Sequence, residues 1–279
     1  MRAALVQLCS GDDPETNLPR TLALIEEGVA RGAGFILTPE VTNCVSASRA
    51  RQEAVLQREE DDITLAALRD VARARGIWLL IGSLALKTGD ADGRFANRSF
   101  LITPEGQIAA RYDKIHMFDV TISESESYRE SAGYRPGSAA CLAHTPFGAL
   151  GMTICYDLRF PHLYRGLAQH GAEIISVPSA FSRVTGTAHW EMLLRARAIE
   201  TGAYVLAPAQ TGLHAAQVGK PRETYGHSLA IGPWGEVLDD AGDAPGVITV
   251  DFDPSEVAKS RKRIPSLMHE AAFSGPRIL

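Results

Sequence analysis

A chain of 279 residues that is 45% hydrophobic and 22% charged is long enough to bury one large core or two small ones, which excludes a disordered or miniprotein class. A formal net charge of -5, with no run of basic residues, argues against a phosphate-binding surface, so nucleic acid is not expected as a partner. Four scattered cysteines, Cys9, Cys44, Cys141 and Cys155, form no C-x-x-C pair, which argues against a zinc site or disulfide framework and fits a reducing, cytoplasmic setting.

In chain order, the apolar run at the N-terminus is too short for a signal-peptide core or a membrane span, and ALVQL reads as a strand. NLPRTLALIEEGVARG carries apolar residues at helical spacing before a glycine stop, GFILTPE is a short strand, DDITLAALRDVARARG a helix opened by acidic residues, and IWLLIGSLAL a third strand. FANRSFLITPEGQIAARYDKI predicts two strands turning at Pro104-Glu105-Gly106, followed by a polar loop over 120–137. Alternation then resumes with GALGMTIC, a helix in FPHLYRGLAQHG, EIISVPS, a helix in HWEMLLRARAIETG, and AYVLAPA. HSLAIG and GEVLDD, joined at Pro233-Trp234-Gly235, and GVITVDF add further strands. Two β-α series without a linker predict an α/β protein in one domain over 1–279, with two packed sheets, helices outside, and a C-terminal tail over 265–279.

Three polar residues stand at strand exits: Glu40 after GFILTP, Lys114 after IAARYD, and Cys155 after GMTI. Strand ends are where α/β proteins assemble sites, so residues far apart in sequence can converge there. A free thiol is only a few per cent thiolate at neutral pH, and a carboxylate such as Glu40 beside it supplies the missing general base. Attack on an amide or nitrile carbon builds negative charge that an ammonium at Lys114 and the backbone N–H of Tyr156 would stabilise. Arg183 and Thr185, in SAFSRVTG, are read as loop residues able to hold a substrate carboxylate. His189 opens the following helix as a capping or packing residue, and Arg195 and Arg197 pair with Glu191 or Glu200 on a solvated or interface face. Cys9, Cys44 and Cys141 are read as packing residues.

On the segments LTPE, RYDKIHMFD and GMTICYDLRFP, with PSAFSRVTGTAHWEMLLRARAIET and YGHSLAIGPWGEVL, the chain resembles the nitrilase (carbon-nitrogen hydrolase) superfamily over nearly its whole length, on its amidase side. The resemblance implies a four-layer α-β-β-α sandwich and a Glu40-Lys114-Cys155 triad needing no metal or organic cofactor. It also implies homodimers or larger assemblies, and a fourth residue in YRESAGYRPG, Glu130, with Glu124 and Glu126 as neighbours. The implied reaction is hydrolysis of a small carboxylate-bearing linear amide to acid and ammonia through a Cys155 thioester. Deaminated glutathione is the favoured substrate and an ω-amide of a 2-oxo acid the alternative, followed by an N-carbamoyl amide or a nitrile. A catalytically inactive scaffold is the competing class. His162 stands where many relatives carry glutamate, so a contact around the nucleophile loop is expected to differ.

Overall fold

The computed structural model describes residues 1–122, 126–269 and 271–276. In chain order its elements are β1 (Arg2–Gln7), α1 (Pro14–Ala30), β2 (Phe35–Leu37), α2 (Arg49–Val55), α3 (Ile63–Arg75), β3 (Trp78–Lys87), β4 (Phe95–Ile102) and β5 (Ile108–Asp113). Then follow β6 (Asp119–Thr121), β7 (Ser127–Arg129), β8 (Cys141–Thr145), β9 (Gly148–Met152), α4 (Pro161–Gln169), β10 (Ile174–Ser176) and α5 (Arg183–Thr201). The chain closes with β11 (Tyr204–Ala207), β12 (Thr211–His214), β13 (Arg222–Tyr225), β14 (Leu229–Ile231), β15 (Val237–Asp240), β16 (Gly246–Asp251) and α6 (Pro254–Arg263).

Two six-stranded sheets carry the fold, ordered β16-β1-β2-β3-β4-β5 and β15-β14-β11-β10-β9-β8. Each has three central parallel strands flanked by antiparallel ones. Strands buried on both faces read as continuous apolar runs, and here alternate residues serve different layers. Ala3, Leu5, Phe35, Leu37 and Leu80 join the core shared with the second sheet. Ala4, Val6, Ile36, Leu79 and Ile81 instead pack with Leu24 and Ile25 of α1 and Leu65 and Leu68 of α3. Leu163 and Leu167 of α4 and Trp190 and Leu194 of α5 cover the second sheet's outer side. The four-layer α-β-β-α order follows.

Helix ends explain the local boundaries. Asp62 caps α3 by accepting the Leu65 N–H at 2.8 Å, and Gly76 closes it in the left-handed region at φ 63°. Ser182 caps α5, which therefore starts at Arg183 and not at His189, so Arg183 and Thr185 are helical and not loop residues. The expected loop over 120–137 instead contains the β6–β7 hairpin and a short 3₁₀ turn at Glu130–Ala132. The segments forming α2, β8, β12, β13 and α6 are short and half-exposed, with too little apolar periodicity to announce themselves. Beyond α6 the tail is tied to α4, Arg165 Nη2 donating to the Ser266 carbonyl at 3.3 Å. Among the described residues no helix is long and apolar enough to cross a membrane.

Candidate active site

The carboxyl ends of parallel strands from the two sheets meet around Gly82. A Cβ on Gly82 of β3 would lie 2.0 Å from the Thr38 carbonyl oxygen and 2.5 Å from the Pro178 Cβ, so only glycine fits between the exits of β2 and β10. The β2 exit delivers Glu40, the β5 exit Lys114 and the β9 exit Cys155, each at least nine-tenths buried.

Lys114 Nζ donates to Glu40 Oε1 at 2.8 Å and to both Glu130 oxygens at 2.9 Å. Asn97 of β4 donates its amide to the same Glu40 oxygen at 2.8 Å, and the Ala180 N–H reaches Glu40 Oε2 at 2.8 Å. Glu130 is held in turn by the Phe118 N–H at 2.6 Å. A buried ammonium between two hydrogen-bonded carboxylates is held in place because any member left alone would be an unpaired buried charge. Burial opposes ionisation of Glu40, yet the Lys114 charge and hydrogen bond, with help from Arg222, hold its carboxyl below the ordinary glutamate range. Burial likewise opposes the Lys114 charge, and Glu130 and Glu40 overcome it, keeping the ammonium protonated well above the usual lysine range.

Cys155 opens a 3₁₀ turn (Cys155–Arg159) and sits at φ 49°, a left-handed conformation that an L-residue adopts only when its surroundings enforce it. Its N–H donates to the Pro178 carbonyl at 3.0 Å. Asp157 accepts from the Ile154 N–H at 2.8 Å, the Tyr112 hydroxyl at 2.6 Å and the His116 N–H at 3.1 Å, which fixes the turn from both sides. Burial first, then the charge of the nearby Glu40 carboxylate, push the Cys155 pKa up, and Lys114 offsets this only partly. The resting site therefore pairs a neutral thiol with an ionised carboxylate.

These groups open into a cavity of about 470 Å³. Glu40, Lys114, Glu130, Cys155, Tyr156 and Thr185 line it, so six of the seven sequence-derived candidates are brought together. Arg183 is not on that wall: it is exposed on the first turn of α5 and pairs with Glu223, because its helical position points it away from the cavity. Sequence reasoning missed Asn97, a polar residue inside the apolar run FANRSFLI, and Arg222, whose strand it left unassigned. Glu126 accepts from the Tyr128 hydroxyl at 2.9 Å, and Glu124 lies outside the described residues.

Several other residues depart from their sequence reading. Cys9 is exposed and so is not a packing residue, whereas Cys44 is buried and also faces the cavity. His189 is exposed within α5, its Nδ1 3.3 Å from Arg159 Nη2, and neither caps nor packs. Arg195 and Arg197 pair with Glu191 at 3.1 Å and Glu200 at 2.9 Å, but Arg197 is buried and its Nε donates to the Leu158 carbonyl. His162 is exposed and lies edge-on to His116, the ring that contacts Asp157 through Nδ1 at 2.7 Å.

The carbon-nitrogen hydrolase family model matches residues 2–262. Over 278 residues the chain is 40% identical to a deaminated glutathione amidase of Yersinia enterocolitica, covering 99% of this chain and 95% of that one. The crystal structure of the C. elegans NitFhit protein superposes with a TM-score of 0.88 at 34% identity, covering 96% of this chain and 64% of that one. A mutant amidase of Nesterenkonia sp. carrying acrylamide on its active-site cysteine superposes at 0.76 with 26% identity, covering 95% of this chain and 98% of that one. With a buried Glu-Lys-Cys cluster at the meeting of two matched sheets, the chain belongs to the carbon-nitrogen hydrolase family of the nitrilase superfamily.

Proposed function

We propose that the cavity hydrolyses deaminated glutathione, with Cys155 as nucleophile, Glu40 as general base and then acid, and Lys114 with the Tyr156 N–H as the oxyanion site. The observation that carries this reading is that Glu40, Lys114 and Cys155, from three different strand exits, line one cavity, with Lys114 Nζ 2.8 Å from Glu40 Oε1. As the sulfur attacks the amide carbon, its proton moves to Glu40 and the C–S bond forms. The carbonyl oxygen takes up the electron pair and faces Lys114 and the Tyr156 N–H. Collapse breaks the C–N bond, the leaving nitrogen takes the proton from Glu40, and a thioester remains. Water then gives its proton to Glu40 and attacks the thioester, and the departing sulfur recovers that proton. Glu130 fixes Lys114 by its two 2.9 Å contacts. Thr185 also lines the cavity, where its hydroxyl suits a polar group of the substrate.

Deaminated glutathione carries secondary amides, so the leaving group is an amine, and the expectation of released ammonia applies to the ω-amide, N-carbamoyl and nitrile alternatives. The test measures 2-oxo acid and amine release from deaminated glutathione, with 2-oxoglutaramate in parallel and quenched samples weighed for an acyl adduct. A Cys155-linked acyl group and turnover abolished in Cys155→Ala are expected. Turnover surviving in Cys155→Ala would remove the mechanism, and preference for 2-oxoglutaramate would move the chain to the ω-amide reading.

The chain is further read as one catalytic domain over 1–279, acting in the cytoplasm as a homodimer or larger assembly. Exposed Val184, Met192 and Ile199 along α5 support association of copies. Light scattering should give at least twice the 30.0 kDa chain mass.

A further inference from the structure

The arginines around the cavity are not equivalent. Arg49 pairs with Glu53 at 3.0 Å, and exposed Arg129 donates to the carbonyls of Val120 and Tyr128. Arg222 has no carboxylate partner among the described residues. Its Nη2 donates to the Ala180 carbonyl at 2.8 Å, while its Nε is closed off from solvent without any acceptor. Strand alternation sets this up. On β13 the Arg222 side chain is turned to the cavity and the next residue, Glu223, is turned out to meet Arg183.

Charge adds direction. Lys114 and its two carboxylates sum to one negative charge, which disfavours a second anion at the catalytic end. Arg222 stands beside Ala180, whose N–H holds Glu40 and whose carbonyl, in the next peptide unit, accepts from Arg222. An acyl chain ending in a carboxylate is therefore drawn with its anionic end to Arg222 and its amide to Cys155.

We infer that Arg222 is the specificity-determining residue of the site, receiving the carboxylate of the acyl half of a short 2-oxo acid amide. This rests on the amidase reading of the cavity and goes beyond it by assigning the residue and the end of the substrate that it selects. The guanidinium has donors left for an anion, and a charge-assisted bond in a partly desolvated wall rejects an analogue that lacks the charge.

The experiment compares kcat/KM on deaminated glutathione with that on its methyl ester at the acyl-side carboxylate, in wild type, Arg222→Leu, Arg222→Lys and Arg183→Ala. In parallel, 2-oxoglutarate is tested for protection of Cys155 against iodoacetamide. The preference for the free acid should fall by about 100-fold in Arg222→Leu, recover partly in Arg222→Lys and stay unchanged in Arg183→Ala. Protection should need about 100-fold more 2-oxoglutarate in Arg222→Leu. If Arg222→Leu lowers both substrates alike and protection persists, Arg222 merely holds Ala180 and the inference is overturned. If wild type leaves deaminated glutathione uncut, yet 2-oxoglutarate protects it and not Arg222→Leu, the substrate reading fails and the assignment of Arg222 stands. Should Arg222→Leu be insoluble, Arg222→Lys and Arg222→Gln carry the same comparison.

Discussion

The two six-stranded sheets have the same internal plan, three parallel strands between antiparallel ones, yet their strand exits deliver opposite chemistry. The first sheet supplies Glu40, Lys114 and Asn97, a charged and amide-bearing cluster. The second supplies a neutral thiol at Cys155 and backbone N–H groups at Ala180 and Tyr156. Corresponding exits even meet, since Glu40 follows β2 and the Ala180 N–H that holds it follows β10. Fold topology fixes where reactive groups meet, and side-chain identity at the exits decides which half brings charge and which brings the nucleophile.

The sharpest way to separate the halves is to remove one contribution from each. Cys155→Ala should lower turnover by about 10⁵-fold or more with unchanged thermal unfolding, and Glu40→Gln by about 10³-fold with a lower unfolding temperature, because it takes one carboxylate from the buried Lys114, turnover being read from 2-oxo acid release. The point where the halves touch comes next. Gly82→Ala should cost about 3 kcal/mol in a denaturant titration, because no backbone around it can retreat, while Gly246→Ala, with open space around it, should be close to neutral.

Two cysteines on the same cavity offer a finer contrast. Burial, with Asp12 and Asp13 nearby, pushes the Cys44 thiol up to about 12, and burial with Glu40 also raises Cys155, whose proton Glu40 is proposed to take. Acrylamide should label Cys155 about 100-fold faster than Cys44 at neutral pH, and equal rates would deny Glu40 its role.

The pH profile tests the first sheet's charge. Glu40 works ionised and its pKa is lowered, so kcat/KM should stay flat through neutrality and fall only below about pH 4.3, the unperturbed glutamate value. For stability the sign is the same: a depressed folded pKa contributes above the unfolded value and is lost as pH falls through the folded one. A rise in kcat/KM through pH 8 to 9 would instead mean that thiol ionisation limits the reaction. Least affected of all should be Arg183→Ala, within about 0.5 kcal/mol in stability as befits an exposed pair.

Much of this was legible in the sequence, and for physical reasons. Strands buried on both faces write themselves as apolar runs, so β2 and β9 and the exits they define could be read directly, and Glu40 and Cys155 with them. Glu130 was legible only by resemblance, because its 3₁₀ turn has no periodicity. Arg222 was hidden in a half-exposed hairpin, and Arg183 was favoured because the Ser182 cap was not recognised as the start of α5. Asn97 left one trace, a lone amide in a buried strand, which is costly unless it serves a polar neighbour.

The hairpins β6–β7 and β12–β13 lie outside both six-stranded sheets, and β12–β13 is stitched to the core by the Thr211 N–H on the Leu8 carbonyl at 2.7 Å and the Tyr225 N–H on the Phe181 carbonyl at 3.0 Å. They nevertheless bring Tyr128, Arg129 and Arg222 to the cavity. The molecule is thus uneven in evolutionary terms: its floor, wedged around Gly82, and the β12–β13 hairpin, seated so close to α5 that a Cβ on Gly186 would lie 2.3 Å from the Tyr225 ring, must change together, while the exposed β6–β7 rim is where variation costs the core least. Exchanging the β6–β7 strands between relatives would vary the rim and leave the chemistry where it was.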